Sequence, residues 1–138
     1  MLLWGSRVAT VPHRSHRAGE RAAAVVQLTI LAPVFMLLVT GSVQASLWQQ
    51  ADHVALAAAQ RGLIVARGVD GSTAVAESTA TAAATQLGSG VLVSPTAKVT
   101  PTGTEVTVTV TGTAEQLIPG LQLTVTDSAS GPVEGLPT

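Results

Sequence analysis

Cysteine and tyrosine are absent from these 138 residues, and the aromatic set is Trp4, Phe35 and Trp48. Without thiols no disulfide staples a domain, and no thiolate is available to a metal or a nucleophilic reaction. Charge is scarce as well. Asp, Glu, Lys and Arg make up 11% of the chain, against about a quarter in an ordinary soluble domain. A core made of Ala, Val, Thr and Leu buries little area per residue. So few aromatics also speak against a strong small-molecule pocket.

The chemistry-bearing patterns are missing too. There is no GxxxxGK[ST] phosphate loop, no HExxH, and no GxSxG elbow to expose a serine. His13 and His16 lie in a basic N-terminal stretch and His53 stands alone. Asp52 and His53 are adjacent, so on a helix they diverge by about 100° instead of meeting. Acidic residues are scattered singly, and no basic face for nucleic acid exists beyond the N-terminal stretch. No enzymatic activity, cofactor, metal site or nucleic-acid partner is expected.

What charge there is, is divided. Residues 1–21 carry Arg7, Arg14, Arg17 and Arg21 against Glu20, while residues 22–138 carry Arg61, Arg67 and Lys98 against seven acids. The basic stretch precedes residues 22–48, which contain no charged residue. Crossing a bilayer takes about 20 mostly apolar residues. The arginines before this run and Asp52 after it predict a cytoplasmic N-terminus, by the excess of Lys and Arg on the cytoplasmic side. Trp48 sits where an indole ring suits the headgroup layer. A cleaved signal peptide is the alternative, with Gln44-Ala45-Ser46 as a weak cleavage site, but its apolar stretch would span only about 7–15 residues. Pro33 removes a backbone donor inside the run and is expected to kink or loosen the helix. Gly41 and Ala45, with Ser42 and Ser46, are small residues at i,i+4 spacing, which suits close helix packing.

Beyond residue 48 the helical pattern continues to Arg67, with Leu47, Ala51, Val54, Ala58 and Val65 on one broad face. Gly62 reads as a weak point, and residues 68–72, GVDGS, as the end. Residues 73–87 predict a second helix, capped by Ser72 or Thr73, with Glu77 near its start. The composition then turns to β. Residues 91–100 contain Leu92, Val93, Ala97 and Val99, interrupted by Pro95. Residues 105–111 read EVTVTVT, a strict alternation. Residues 101–104 predict a hairpin turn, Pro119-Gly120 another turn, and residues 121–126, LQLTVT, a third strand that residues 129–133 extend or follow. The expected fold is α+β: a long N-terminal transmembrane helix continuing outside the membrane, a second short helix, and a small three-stranded antiparallel sheet packed on the long helix. The expected division is a basic cytoplasmic tail at 1–21, a transmembrane helix at 22–48, an extracytoplasmic domain at 49–133 and a flexible tail at 134–138.

The stretch from Glu20 to Leu28, ERAAAVVQL, followed by Thr29-Ile30-Leu31-Ala32-Pro33, resembles the N-terminal segment of TadE-like pseudopilins of the actinobacterial type. Residues 57–67, AAAQRGLIVAR, are similar to the recurrent alanine-rich pattern of that family. The Val106 to Gly112 strand and Leu117-Ile118-Pro119-Gly120-Leu121 are similar as well. The resemblance implies a pilin-like fold and a role in a tight adherence (Flp-type) pilus or a related secretion apparatus. It implies as partners the lipid bilayer, other pilin-like subunits, the pilus assembly platform and a prepilin peptidase. The processing region would comprise Gly19, Glu20, Ala22, Ala23 and Gln27. The family places Gly before the cut and Glu five residues after it; those positions are Ala22 and Gln27 here. Gln27 can hydrogen-bond but carries no charge to pair with a neighbour's amine. A membrane-anchored extracytoplasmic binding or sensor module unrelated to pili is the other function consistent with the residues alone.

Overall fold

The structure is a computed structural model that describes Gly5, residues 15–68 and residues 70–135. Arg7, His13 and Arg14 of the basic tail, and residues 136–138 of the expected flexible tail, lie outside the described residues. Five elements follow one another: helix α1 (Ser15–Arg67), helix α2 (Thr73–Leu87), and strands β1 (Leu92–Thr102), β2 (Glu105–Ala114) and β3 (Thr124–Pro132). The α+β expectation holds. The chain forms two units, Met1–Leu38 and Val39–Thr138.

In the first unit the described residues from Ser15 onward are helix. It begins at Ser15, seven residues before the expected Ala22, and runs through Pro33 without interruption. Val25, Leu28, Leu31, Phe35, Met36 and Leu37 are all exposed. This helix is long and apolar enough to cross a membrane.

In the second unit, α1 carries a buried stripe of Ala51, Ala55, Ala58, Ala59, Gly62, Leu63 and Ala66, the i, i+4, i+7, i+8 spacing of one helix face. Val54 and Val65, expected on that face, are half-buried at its flanks. On α2 the matching stripe is Ala76, Ala80, Ala83 and Ala84. Alanine faces let two helices approach closely. At Gly62 a Cβ would stand 2.8 Å from the Ala80 Cβ, 3.1 Å from the Ala76 carbonyl and 3.1 Å from Val108 Cγ1. Gly62 is therefore a point of close packing of α1 against α2 and the sheet. Ser72 precedes α2 without a side-chain cap. Instead of serving the helix start, Glu77 accepts a 3.0 Å hydrogen bond from the Val99 N–H on β1.

The strands form an antiparallel sheet in the order β1-β2-β3. Strand β2 is central, and its alternation is reproduced in burial: Val106, Val108, Val110 and Ala114 face the core. It runs three residues beyond the expected Thr111, to Ala114. The β1–β2 hairpin closes in two residues, with Thr102 paired to Glu105 and Gly103 at φ +58°. A glycine with positive φ at the first turn position is what a type II′ turn requires. In β1, Leu92 pairs with Ala114 and Val99 with Val108, yet the two lie an odd number of residues apart. A β-bulge between Val93 and Thr96 supplies the extra residue. It lets both Leu92 and Val99 face the core, and holds Ser94 at φ +50°. Pro95 fits there because an edge strand and a bulge do not need its missing N–H.

Strand β3 starts at Thr124, not at the expected Leu121. Residues 121–123 alternate like a strand, but Leu121 is drawn to a groove on α1 instead. At the far end, Arg67 Nε donates to the Pro132 carbonyl (2.9 Å), and the Glu134 N–H donates to the Arg67 carbonyl (3.1 Å). Arg67 thereby ties the end of α1 to the end of β3.

Candidate functional site

Gly19, Glu20, Ala22, Ala23 and Gln27 all lie within α1 and are exposed. At 3.6 residues per turn, Gly19, Ala23 and Gln27 are spaced four apart and share one face that Glu20 flanks, with Ala22 turned away from it. A peptidase working in this region meets helical backbone and needs the first turns to unwind. Gly19 favours that, since glycine destabilises a helix by about 1 kcal/mol relative to alanine. Farther along, the Thr29 hydroxyl donates to the Val25 carbonyl (2.8 Å). The one hydroxyl in residues 22–38 is thus satisfied within its own helix.

In the second unit the polar Gln44 has a role the sequence did not disclose. It is 2% exposed. Its Nε2 donates to the Glu115 carbonyl (3.0 Å) and its Oε1 accepts from the Leu117 N–H (2.8 Å). Both ends of one amide therefore clasp the loop between β2 and β3. The loop then turns at residues 118–121, where the Leu121 N–H donates to the Ile118 carbonyl (3.2 Å) and Gly120 has φ +85°. Proline followed by a positive-φ glycine is a type II turn. The turn brings Ile118 and Leu121 together, and with Leu123 they line one side of an apolar groove of roughly 350 Å³. Gly41, Gln44, Ala45 and Trp48 of α1 line the other side. Gly41 and Ala45, expected to favour helix packing, thus face a loop of the same unit. A Cβ at Gly41 would meet nothing within 4 Å, so space remains there. Pro33 lies outside this groove, in the first unit.

A second polar feature lies on β3. Asp127 pairs with Val110, whose side chain faces the core, so its carboxyl points inward. Its Oδ2 is buried without a hydrogen-bond partner. Burial raises its pKa above the ordinary carboxylate value, and the nearby Asp52 carboxylate raises it further, against a lowering by the His53 charge. His53 itself is exposed. Among the described residues, no three His, Cys, Asp or Glu side chains converge on a metal position.

Compared with known proteins, residues 22–63 match the model of the TadE-like protein family. The match opens in the apolar part of α1 and ends at Leu63, within the buried stripe. No curated protein and no solved structure matches the chain.

Proposed function

We propose that this TadE-like chain is a non-enzymatic, pseudopilin-like membrane protein that takes part in assembling a tight adherence (Flp-type) pilus or a related secretion apparatus. The observation that carries the reading is the TadE-like match over residues 22–63, laid on a helix that is lipid-compatible at one end and packed against an α+β unit at the other. Its partners are the bilayer, other pilin-like subunits, the assembly platform and a prepilin peptidase acting near Gly19 to Gln27. The basic N-terminal stretch stays in the cytoplasm and the second unit stands outside, as the arginine distribution favours.

The membrane-embedded part is shorter than residues 22–48. Gln44 is committed to the second unit, which leaves residues 22–39 for the hydrocarbon. Eighteen helical residues rise about 27 Å, at the short end of what a span needs. Flanking Arg17 and Arg21 can reach the headgroups from one side.

The test is deletion of the gene in the organism that carries it. Loss of surface filaments, restored by the full chain, supports the reading; filaments unaffected by deletion refute it. N-terminal sequencing of the membrane-bound protein, expressed with its native peptidase, resolves processing. A new start at Glu20 or Ala23 marks pilin-type cleavage, whereas an intact start at Met1 or Leu2 makes the chain a permanent membrane component.

A further inference from the structure

We infer that the outer edge of β3 is a site where two copies of this chain pair, strand against strand and antiparallel, about a two-fold axis at Ser128. The pairing involves the second unit alone and holds whether or not the chain serves a pilus.

The sheet's own hydrogen bonds define this edge. Strand β3 is an outer strand, paired with β2 from Thr124 to Pro132 without a bulge. At the two ends of that pairing the Ala114 N–H donates to the Leu123 carbonyl and the Val133 N–H to the Thr104 carbonyl. These bonds set the alternation: odd-numbered residues of β3 turn their backbone groups toward β2 and even-numbered residues turn theirs away. Thr124, Thr126, Ser128 and Ser130 therefore hold their N–H and C=O groups outward, and all four residues are exposed. Among the described residues, no group bonds to those N–H and C=O groups. The next carbonyl of the series, at Pro132, is taken by Arg67 Nε. Outer strands are ordinarily guarded by a lysine, a proline or a bulge. None of these interrupts residues 124–131.

What fits the edge is a second β3. The strand runs from Thr124 to Pro132, so Ser128 is its middle residue, and an antiparallel copy centred there overlaps it from end to end. In that register Thr126, Ser128 and Ser130 face the partner's Ser130, Ser128 and Thr126, and each pair exchanges both backbone bonds. The side chains brought together on the outer face are small and uncharged. Charge selects the same register. Asp127 is the one charged residue of β3, and its Oδ2 has no hydrogen-bond partner. An axis at Asp127 would set two carboxylates directly opposite each other, which is unfavourable. An axis at Ser128 sets Asp127 opposite the partner's Ala129 and diagonal to the partner's Gly131. Arg67 packs over Gly131, where a Cβ would stand 3.4 Å from its Nε and 3.6 Å from its Cζ. Diagonal neighbours lie about 7–8 Å apart, within reach of a long side chain. Each Arg67 guanidinium thus comes beside the partner's Asp127, twice by symmetry. Because the same edge is consumed in both copies, the pairing closes at two.

The absence of native cysteine makes the test direct. Single-cysteine variants of the full chain are oxidised in detergent with micelles in excess, so that copies meet by association and not by sharing a micelle. Ser128→Cys opposes its own mate at a Cα separation of about 5.5 Å, which suits a disulfide. Thr124→Cys lies roughly 27 Å from its mate, at about 3.4 Å per residue. Thr126→Cys and Ser130→Cys are each out of register with themselves and in register with one another. Thr100→Cys, exposed on the other outer strand, is the reference. The expected result is a covalent dimer from Ser128→Cys, and from Thr126→Cys mixed with Ser130→Cys, with Thr124→Cys, Thr100→Cys and either of the mixed pair alone remaining monomeric. Ser128→Pro removes the two bonds at the axis and should weaken the dimer by about tenfold in sedimentation, with circular dichroism unchanged; if that variant fails to fold, the cross-linking set decides by itself. A Ser128→Cys chain that stays monomeric overturns the proposal, as do equal rates at every position, which mark random collision. A disulfide through Thr100→Cys in place of Ser128→Cys would assign self-association to a different surface and overturn it equally.

Discussion

Replacing Gly62 with alanine sets two effects of known sign against each other. In a helix interior alanine is favoured over glycine by about 0.8–1.0 kcal/mol, so on propensity alone the variant gains stability. The structure opposes this. The new Cβ would lie 2.8 Å from the Ala80 Cβ and 3.1 Å from both the Ala76 carbonyl oxygen and Val108 Cγ1, whereas carbon atoms in contact rest at about 3.5–4.0 Å. None of the three neighbours can swing aside. A Cβ and a carbonyl are fixed to the α2 backbone, and Val108 is fully buried in the central strand. Relief requires the helices to part by several tenths of an ångström along alanine faces packed on either side of the contact. Overpacking of that kind costs about 1–3 kcal/mol, and rigid neighbours place this case in the upper half of the range. The net expectation is a loss of about 1–2 kcal/mol, which for a unit of this size lowers the melting midpoint by roughly 5–15 °C. The assay is thermal unfolding of the full chain in detergent, followed by circular dichroism. The variant Ala80→Gly and the pair Gly62→Ala/Ala80→Gly complete a cycle. Removing the Ala80 Cβ vacates the space the new methyl needs, so the pair should be less destabilised than the sum of its members, with a coupling of about 0.5–3 kcal/mol. A Gly62→Ala variant that melts at or above the parent temperature, or a cycle with no coupling, would refute the close approach of α1 and α2 at this point.

Other outcomes follow from single contacts. Gln44→Ala removes two hydrogen bonds from the β2–β3 loop and leaves the Leu117 N–H without its acceptor; it should cost about 1–3 kcal/mol and speed hydrogen exchange at Leu117. If Gln44 faced lipid alone, the same change would be neutral or stabilising. The raised pKa of Asp127 means that the folded state holds a proton the unfolded chain has already released. The stability this contributes is complete at acid pH and is lost as pH rises from the ordinary carboxylate value of 3.8 through the raised one. Asp127→Asn should therefore be more stable than the parent at neutral pH and flatten the pH profile in that window; a variant that melts lower at pH 7 than the parent would contradict this. Gly103→Ala places a side chain at φ +58° and should cost about 1–2 kcal/mol, seen as a lower melting midpoint with the same cooperativity.

Much of the fold can be read along the chain. Helix α2 occupies residues 73–87 as expected, because an alanine-rich stretch between glycine clusters leaves few other outcomes. Strand β2 is legible because Val alternates with Thr, and burial follows that alternation. The misreadings arise where a distant residue decides. The stretch LQLTVT has the period of a strand throughout, yet Leu121 belongs to the groove with Gly41 and Trp48. Strand β1 offers no consistent parity until the bulge at Ser94 and Pro95 is allowed for, and a bulge leaves little trace in composition. Gln44 reads as a polar interruption in a membrane helix because its partners, Glu115 and Leu117, lie more than seventy residues away. Gly62 looks like a weakness in an isolated helix and becomes a fitted surface only when α2 is present. The groove residues Gly41 and Ala45 are recognisable as small and spaced for packing; what they pack against is not.

The hydrogen bond from Val99 to Glu77 has a consequence for how this protein can associate. Strand β1 is an outer strand of the sheet, and the unpaired amides of such a strand ordinarily invite another chain to add itself. On the outward side of this stretch the donors belong to alternate residues, Ala97, Val99 and position 101. Position 101 is proline and has no N–H, and the Val99 N–H is held by Glu77. Ala97 alone keeps an outward donor, too little to template a neighbouring strand. Copies of this chain can therefore crowd together in a membrane or an assembly without β1 zipping them into a continuous sheet, which leaves the remaining surfaces to select the partner.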